Sequence, residues 1–140
     1  MPEINTLKIL DSIESALQKE YPDIEIGFDT VDQGPAPPAF LVTLVSAEQI
    51  KQVGERWKRI SRFDVSYYPK QGLKECYAVV DKLCYALELI TLSEGELLRG
   101  TEISLKITDG VLHFMISYIY FVYQSTENVN MEELKIEQKG

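Results

Sequence analysis

The sequence predicts an α+β fold, a mostly antiparallel sheet of four to five strands with two main helices packed on one face. Three observations carry that expectation: two segments with helical apolar spacing, β-favouring runs joined mostly by short links, and an Asp-Gly turn between two apolar segments.

Ile4, Leu7, Leu10, Ile13 and Leu17 recur at three- and four-residue steps, so residues 4–20 read as an amphipathic helix. Tyr21-Pro22 ends it, because the residue before proline is pushed out of the helical region. Ile24, Ile26 and Phe28 alternate with Glu25 and Gly27, the period of a half-buried strand. Next come Gly34, Pro35, Pro37 and Pro38, an irregular or polyproline-like loop in which three donors are missing. Phe40 to Ser46 is a nearly continuous β-favouring run.

Arg56 to Tyr68 is a further strand with two mixed faces. Trp57, Arg59, Ser61, Phe63, Val65 and Tyr67 share one, and Lys58, Ile60, Arg62, Asp64, Ser66 and Tyr68 share the other. A second helix is expected over 73–91, with Cys76, Val79, Val80, Leu83, Cys84, Leu87 and Ile90 as its apolar stripe. Leu97 to Thr108, the turn Asp109-Gly110 and Val111 to Tyr123 then read as a hairpin, since a type I′ turn needs positive φ at both central positions. Residues 1–124 form the expected single domain. Residues 125–140, with Glu127, Glu132, Glu133 and Glu137, read as a polar acidic tail.

A chain of 140 residues with 45% apolar and 26% charged residues excludes disordered and low-complexity classes. Cys76 and Cys84 lie eight residues apart on one expected helix, about 12 Å, beyond disulfide reach, so both read as free thiols of a reducing compartment. Met1 to Asn5 lacks the basic start and apolar run of a signal peptide, which points to the cytoplasm. The longest apolar stretch, Val111 to Tyr123, is too short for a membrane helix, so no membrane partner is expected.

Motifs for catalysis are missing. His113 is the single histidine and sits in a strand, nucleophile elbows and phosphate loops are absent, and Glu94 with Glu96 reads as a solvated pair. The expectation is no enzyme, with catalytic, cofactor and metal residues all none.

Charge is distributed unevenly. The net charge is −8, yet residues 51–74 hold seven bases and two acids. There Lys51, Arg56, Lys58, Arg59 and Arg62 border Trp57 and Phe63, a pattern open to three readings: a solvated edge strand, a protein interface, or a nucleic-acid platform. Glutamate at both Arg59 and Arg62 is expected to leave the monomer folded while preventing assembly. The last strand is apolar on both sides, so either its outer side meets a partner or the tail or proline loop folds over it.

Four stretches carry a family likeness across residues 4–124. They are Gln33-Gly34 with Pro38 to Val42, Arg59 to Pro69, Cys76-Tyr77 through Leu83 to Ala86-Leu87-Glu88, and Leu98 to Thr101 followed by Asp109 to Phe114. The sequence resembles the tail-terminator-like, or tail-completion, proteins of phages and prophages of Gram-positive bacteria. The resemblance implies a ring, commonly six-membered, that caps the tail tube and meets head-completion or neck proteins. DNA would pass through it without specific binding. Assembly is expected in the host cytoplasm and residence in the virion tail. The assembly residues on this reading are Arg56, Trp57, Lys58, Arg59 and Arg62 with Gly34, Pro35, Pro37 and Pro38. The alternative is a nucleic-acid-binding module using the Arg56 to Phe63 strand.

Overall fold

A computed structural model of the chain describes residues 3–28 and 35–124. The elements run α1 (Thr6–Glu20), β1 (Glu25–Gly27), β2 (Ala39–Lys51), β3 (Arg56–Tyr68), α2 (Leu73–Glu88), β4 (Leu89–Thr91), β5 (Leu97–Thr108) and β6 (Val111–Tyr123).

Helix α1 starts two residues later than expected because Asn5 is its cap: the Asn5 side chain accepts the Lys8 N–H at 2.9 Å, satisfying an orphan donor of the first turn. Its buried side is Ile9, Ser12, Ile13 and Leu17. Leu7, which the sequence placed on the apolar stripe, is 69% exposed. Ile9 replaces it, since residues 9, 13 and 17 stack four apart on one face.

Helix α2 opens at Gly72, whose φ of 104° suits glycine, and buries Cys76, Val79, Leu83 and Leu87. Glu75 secures its first turn. The carboxylate accepts hydrogen bonds from the Tyr67 hydroxyl at 2.6 Å, Lys70 N–H at 2.9 Å and Gln71 N–H at 3.2 Å. These donors, the Tyr67 hydroxyl foremost, hold its pKa below the usual glutamate value. A depressed folded pKa means the stabilisation is complete above the unfolded value, about 4.3, and fades as pH falls through the folded one. Glu75→Gln is therefore expected to lower stability at neutral pH and to flatten the acid limb of a urea-midpoint profile. An acid limb as steep as that of the unaltered chain would assign the loss to other carboxylates.

The sheet has six strands in the order β1-β2-β3-β6-β5-β4, one more than the upper expectation. It is mixed: β1 runs parallel to β2, and every other pair is antiparallel. The additional strand is β4. Residues 89–91 were expected to continue the second helix, but Leu89, Ile90 and Thr91 pair with Arg99, Leu98 and Leu97 instead. Ile90 stays buried, so its apolar character fits either conformation. Strand β2 runs to Lys51, five residues past the expected end at Ser46, carried by pairing with β3 as far as Lys51 opposite Trp57. The hairpin turn forms as expected, with φ of 53° at Asp109 and 78° at Gly110.

Both helices pack on one sheet face. Ile9, Ile13, Leu17, Cys76, Val79, Leu83 and Leu87 close over Phe40, Val42, Phe63, Val65, Tyr67, Leu112, Phe114, Ile116 and Tyr118 in a single cluster. The buried Tyr118 hydroxyl donates to the Leu87 carbonyl at 2.6 Å, satisfying an orphan acceptor at the end of α2. The other face of the sheet is buried at Leu41, Ser66 and Ser117 and open at Phe121 and Tyr123, which are 38% and 61% exposed.

Candidate functional site

The register aligns the helix-free face in rows. Arg56 lies beside Tyr123; Lys58 lies between Ile50 and Phe121; Ile60 lies between Glu48 and Ile119; Arg62 lies between Ser46 and Ser117. An apolar strip, Ile60, Ile119, Phe121 and Tyr123, thus runs beside Arg56 and Lys58. The Arg56 guanidinium sits 4.1 Å from the Phe121 ring centroid, a cation–π contact that holds its charge over the strip.

Alternation along β3 divides the basic stripe between two faces. Arg56, Lys58 and Arg62 are on the helix-free side; Trp57 and Arg59 are on the helix-bearing side. There Lys51 lies 4.9 Å from the Trp57 ring, and Arg59 donates to the Gln49 side-chain oxygen at 2.6 Å.

Arg62 has an intramolecular occupation that its sequence neighbours do not reveal. Its guanidinium donates to the Glu102 carbonyl at 2.8 Å, the Ser117 hydroxyl at 2.8 Å and the Ser104 hydroxyl at 2.9 Å. It thereby braces the irregular stretch of β5 between Thr101 and Ser104, where Glu102 has φ of 52°. This corrects the expectation that Arg59 and Arg62 together report assembly alone. Arg62→Glu is expected to cost about 1–3 kcal/mol in chemical denaturation, because it points a carboxylate at a carbonyl left without its donor. Arg59→Glu, losing one exposed contact, is expected to stay within about 0.5 kcal/mol of the unaltered chain. Equal stabilities for the two variants would contradict the brace.

The proline segment leads into β2, level with the far end of β3. Pro38 precedes Ala39, which pairs with Tyr68, twelve residues from Arg56 and so about 40 Å along the strand. The two groups of expected assembly residues are therefore not one contiguous patch. Pro37 is exposed, Pro35 and Pro38 are half-buried, and Gly34 lies outside the described residues, as does the 125–140 tail.

His113 Nδ1 lies 2.9 Å from Asp64 Oδ2 and 3.1 Å from Ser66 Oγ. A serine-activating relay needs the hydroxyl on one ring nitrogen and the carboxylate on the other; here a single nitrogen meets both. The cluster ties β6 to β3. Among the described residues no group of three or more metal-ligating side chains comes together, and no helix is long and apolar enough to cross a membrane.

Fold and surface together define a small α+β protein whose distinguishing feature is an open, mixed-charge sheet face with an aromatic strip. The chain belongs to the phage tail terminator family: the family model described as phage tail terminator protein matches residues 8–130. It is a structural tail protein of phage virions. Comparison with curated proteins gives no match.

Proposed function

We propose that the chain is the subunit of a ring that caps the finished tail tube and joins it to the neck or head-completion proteins. The observation that carries this reading is the uncovered end of the helix-free face, where Ile60, Ile119, Phe121 and Tyr123 flank Arg56 and Lys58. A strip this apolar is stabilised by removal from water, and its cations select an acidic partner. The remaining subunit surface is acidic, since residues outside 51–74 carry a net −13. Other copies of the chain therefore qualify as partners, as do tube and neck proteins with acidic rims. The fold has no catalytic role in this reading, and DNA passes through the ring unbound.

Co-sedimentation with purified tail-tube protein tests the proposal. Saturable binding, with a small fixed number of chains per tube, is expected. Binding that scales with tube length, or none, would contradict it. One observation favours a second reading: Arg56 and Lys58 stand next to Phe121 and Tyr123, the combination that stacks bases and neutralises phosphates. Binding to single-stranded DNA or RNA that falls steeply with salt would establish that reading.

A further inference from the structure

The sheet has two unoccupied edges, and they are diagonal to each other. At one side, β1 pairs with β2 only at Ala39, Phe40 and Leu41, so among the described residues β2 beyond Leu41 has β3 as its sole strand partner. At the other, β4 pairs with β5 only at Leu97, Leu98 and Arg99. The β5 stretch from Ser104 to Thr108 therefore has only β6 beside it among the described residues. A register shift precedes each open stretch, between Leu44 and Ser46 in β2 and between Thr101 and Ser104 in β5, leaving 46–51 and 104–108 regularly paired. Both stretches are exposed along their whole length.

Unpaired strand edges are a template for another chain, and proteins that do not use them normally cover or charge them. Here the edges are instead suited to each other. We propose that the β2 edge of one copy pairs antiparallel with the β5 edge of the next, Glu48 facing Lys106; the inference rests on the ring reading and specifies its seam. In that register Ala47 opposes Ile107, Gln49 opposes Leu105 and Ser46 opposes Thr108. Every opposed pair then shares a face, because Glu48 and Lys106 lie on the helix-free side while Ala47, Gln49, Leu105 and Ile107 lie on the helix-bearing side. The pairing supplies the Glu48–Lys106 ion pair and covers Leu105 and Ile107, which are 40% and 36% exposed despite pointing toward the helix side. The short strands do not obstruct it. In this register β1 lies beyond the neighbour's Asp109-Gly110 turn, and the neighbour's β4 lies beyond the β2–β3 hairpin tip.

Direction and spacing favour a closed assembly. β2 and β5 run in opposite directions within one copy, so copies related by rotation about one axis bring them together antiparallel. Lys106 is level, through His113 and Ser66, with Leu41. Glu48 lies six paired positions farther along, about 20 Å at a strand's rise. Each copy inserts four strands, about 19 Å across at normal spacing. A step of that size for that width inclines the strands by about 45° to the ring axis, at the upper end of the tilt found in closed barrels.

The test uses Glu48→Cys and Lys106→Cys in the full chain, with the unaltered chain, which contains Cys76 and Cys84, oxidised in parallel as a control. Mixing the two variants is expected to give a disulfide dimer containing one of each, while neither alone cross-links; both changes in one chain should give a ladder. Lys106→Glu is expected to prevent assembly, and adding Glu48→Lys to restore it. Self-cross-linking of either single variant would replace the head-to-tail seam with a symmetric one. Oligomers by native mass without the mixed cross-link would overturn the edge pairing and leave the tube-capping ring standing. A monomer that gives no cross-link at any concentration also overturns the edge pairing, while co-sedimentation with the tube decides the ring reading independently.

Discussion

Phe63→Ala is expected to lower the unfolding free energy by about 3–5 kcal/mol, enough to unfold a marginal domain. Phe63 is fully buried at the middle of β3, with β2 on one side and β6 on the other, and its ring meets Tyr118 edge-on at 6.3 Å. Truncation removes apolar area from the centre of the core and that aromatic contact together, and the flanking strands cannot close the gap without losing their own ladders. Urea denaturation followed by circular dichroism measures it. A loss below about 1 kcal/mol would mean the site collapses freely, contrary to close packing.

The second large effect is expected at Gly100, for the opposite reason. A side-chain carbon there would collide with Cδ1 of Ile116 and lie 2.8 Å from its Cγ1 and 3.2 Å from the Leu87 carbonyl oxygen. Ile116 is fully buried, so it has little room to turn away, and the Leu87 carbonyl is already engaged by the Tyr118 hydroxyl. Gly100→Ala should cost about 1–3 kcal/mol, and valine more. Adding Ile116→Val should recover part of the alanine loss, because the offending Cδ1 is gone. Strictly additive losses would show that the two positions do not compete for the same space.

Local rules were legible in the sequence wherever the cause was local. Asp109-Gly110 was readable because only a few residues tolerate two consecutive positive φ values, whereas the core face of β6 was not, because both its faces are apolar and only the packed helices select Leu112, Phe114, Ile116, Tyr118, Tyr120 and Val122. Leu89, Ile90 and Thr91 were misassigned because their apolar character extends the α2 stripe, and only the partner Leu97 to Arg99 decides for a strand. The outer half of β2 was missed because Ala47, Glu48 and Gln49 have no alternating pattern and are held extended by β3 alone.

The same distinction governs the basic strand. Alternation correctly placed Arg59 and Arg62 on opposite faces of β3, so their separation was visible from the start. What Arg62 does was not visible, since Glu102, Ser104 and Ser117 lie 40, 42 and 55 residues away in sequence. Trp57 and Phe63 looked like aromatic members of a basic interface, yet Phe63 is core, and the aromatics beside the outward-facing cations are Phe121 and Tyr123 from β6. Sequence adjacency picks out neighbours along β3, whereas the rings level with Arg56 and Lys58 belong to β6.

Direct imaging of tail tubes mixed with a gold-labelled chain tests the proposed role most directly. The expected micrograph shows label at one end of each tube, in a closed ring one subunit thick, with tube length fixed thereafter. Label scattered along the tube walls, or tubes that continue to lengthen past the labelled end, would contradict a terminating ring.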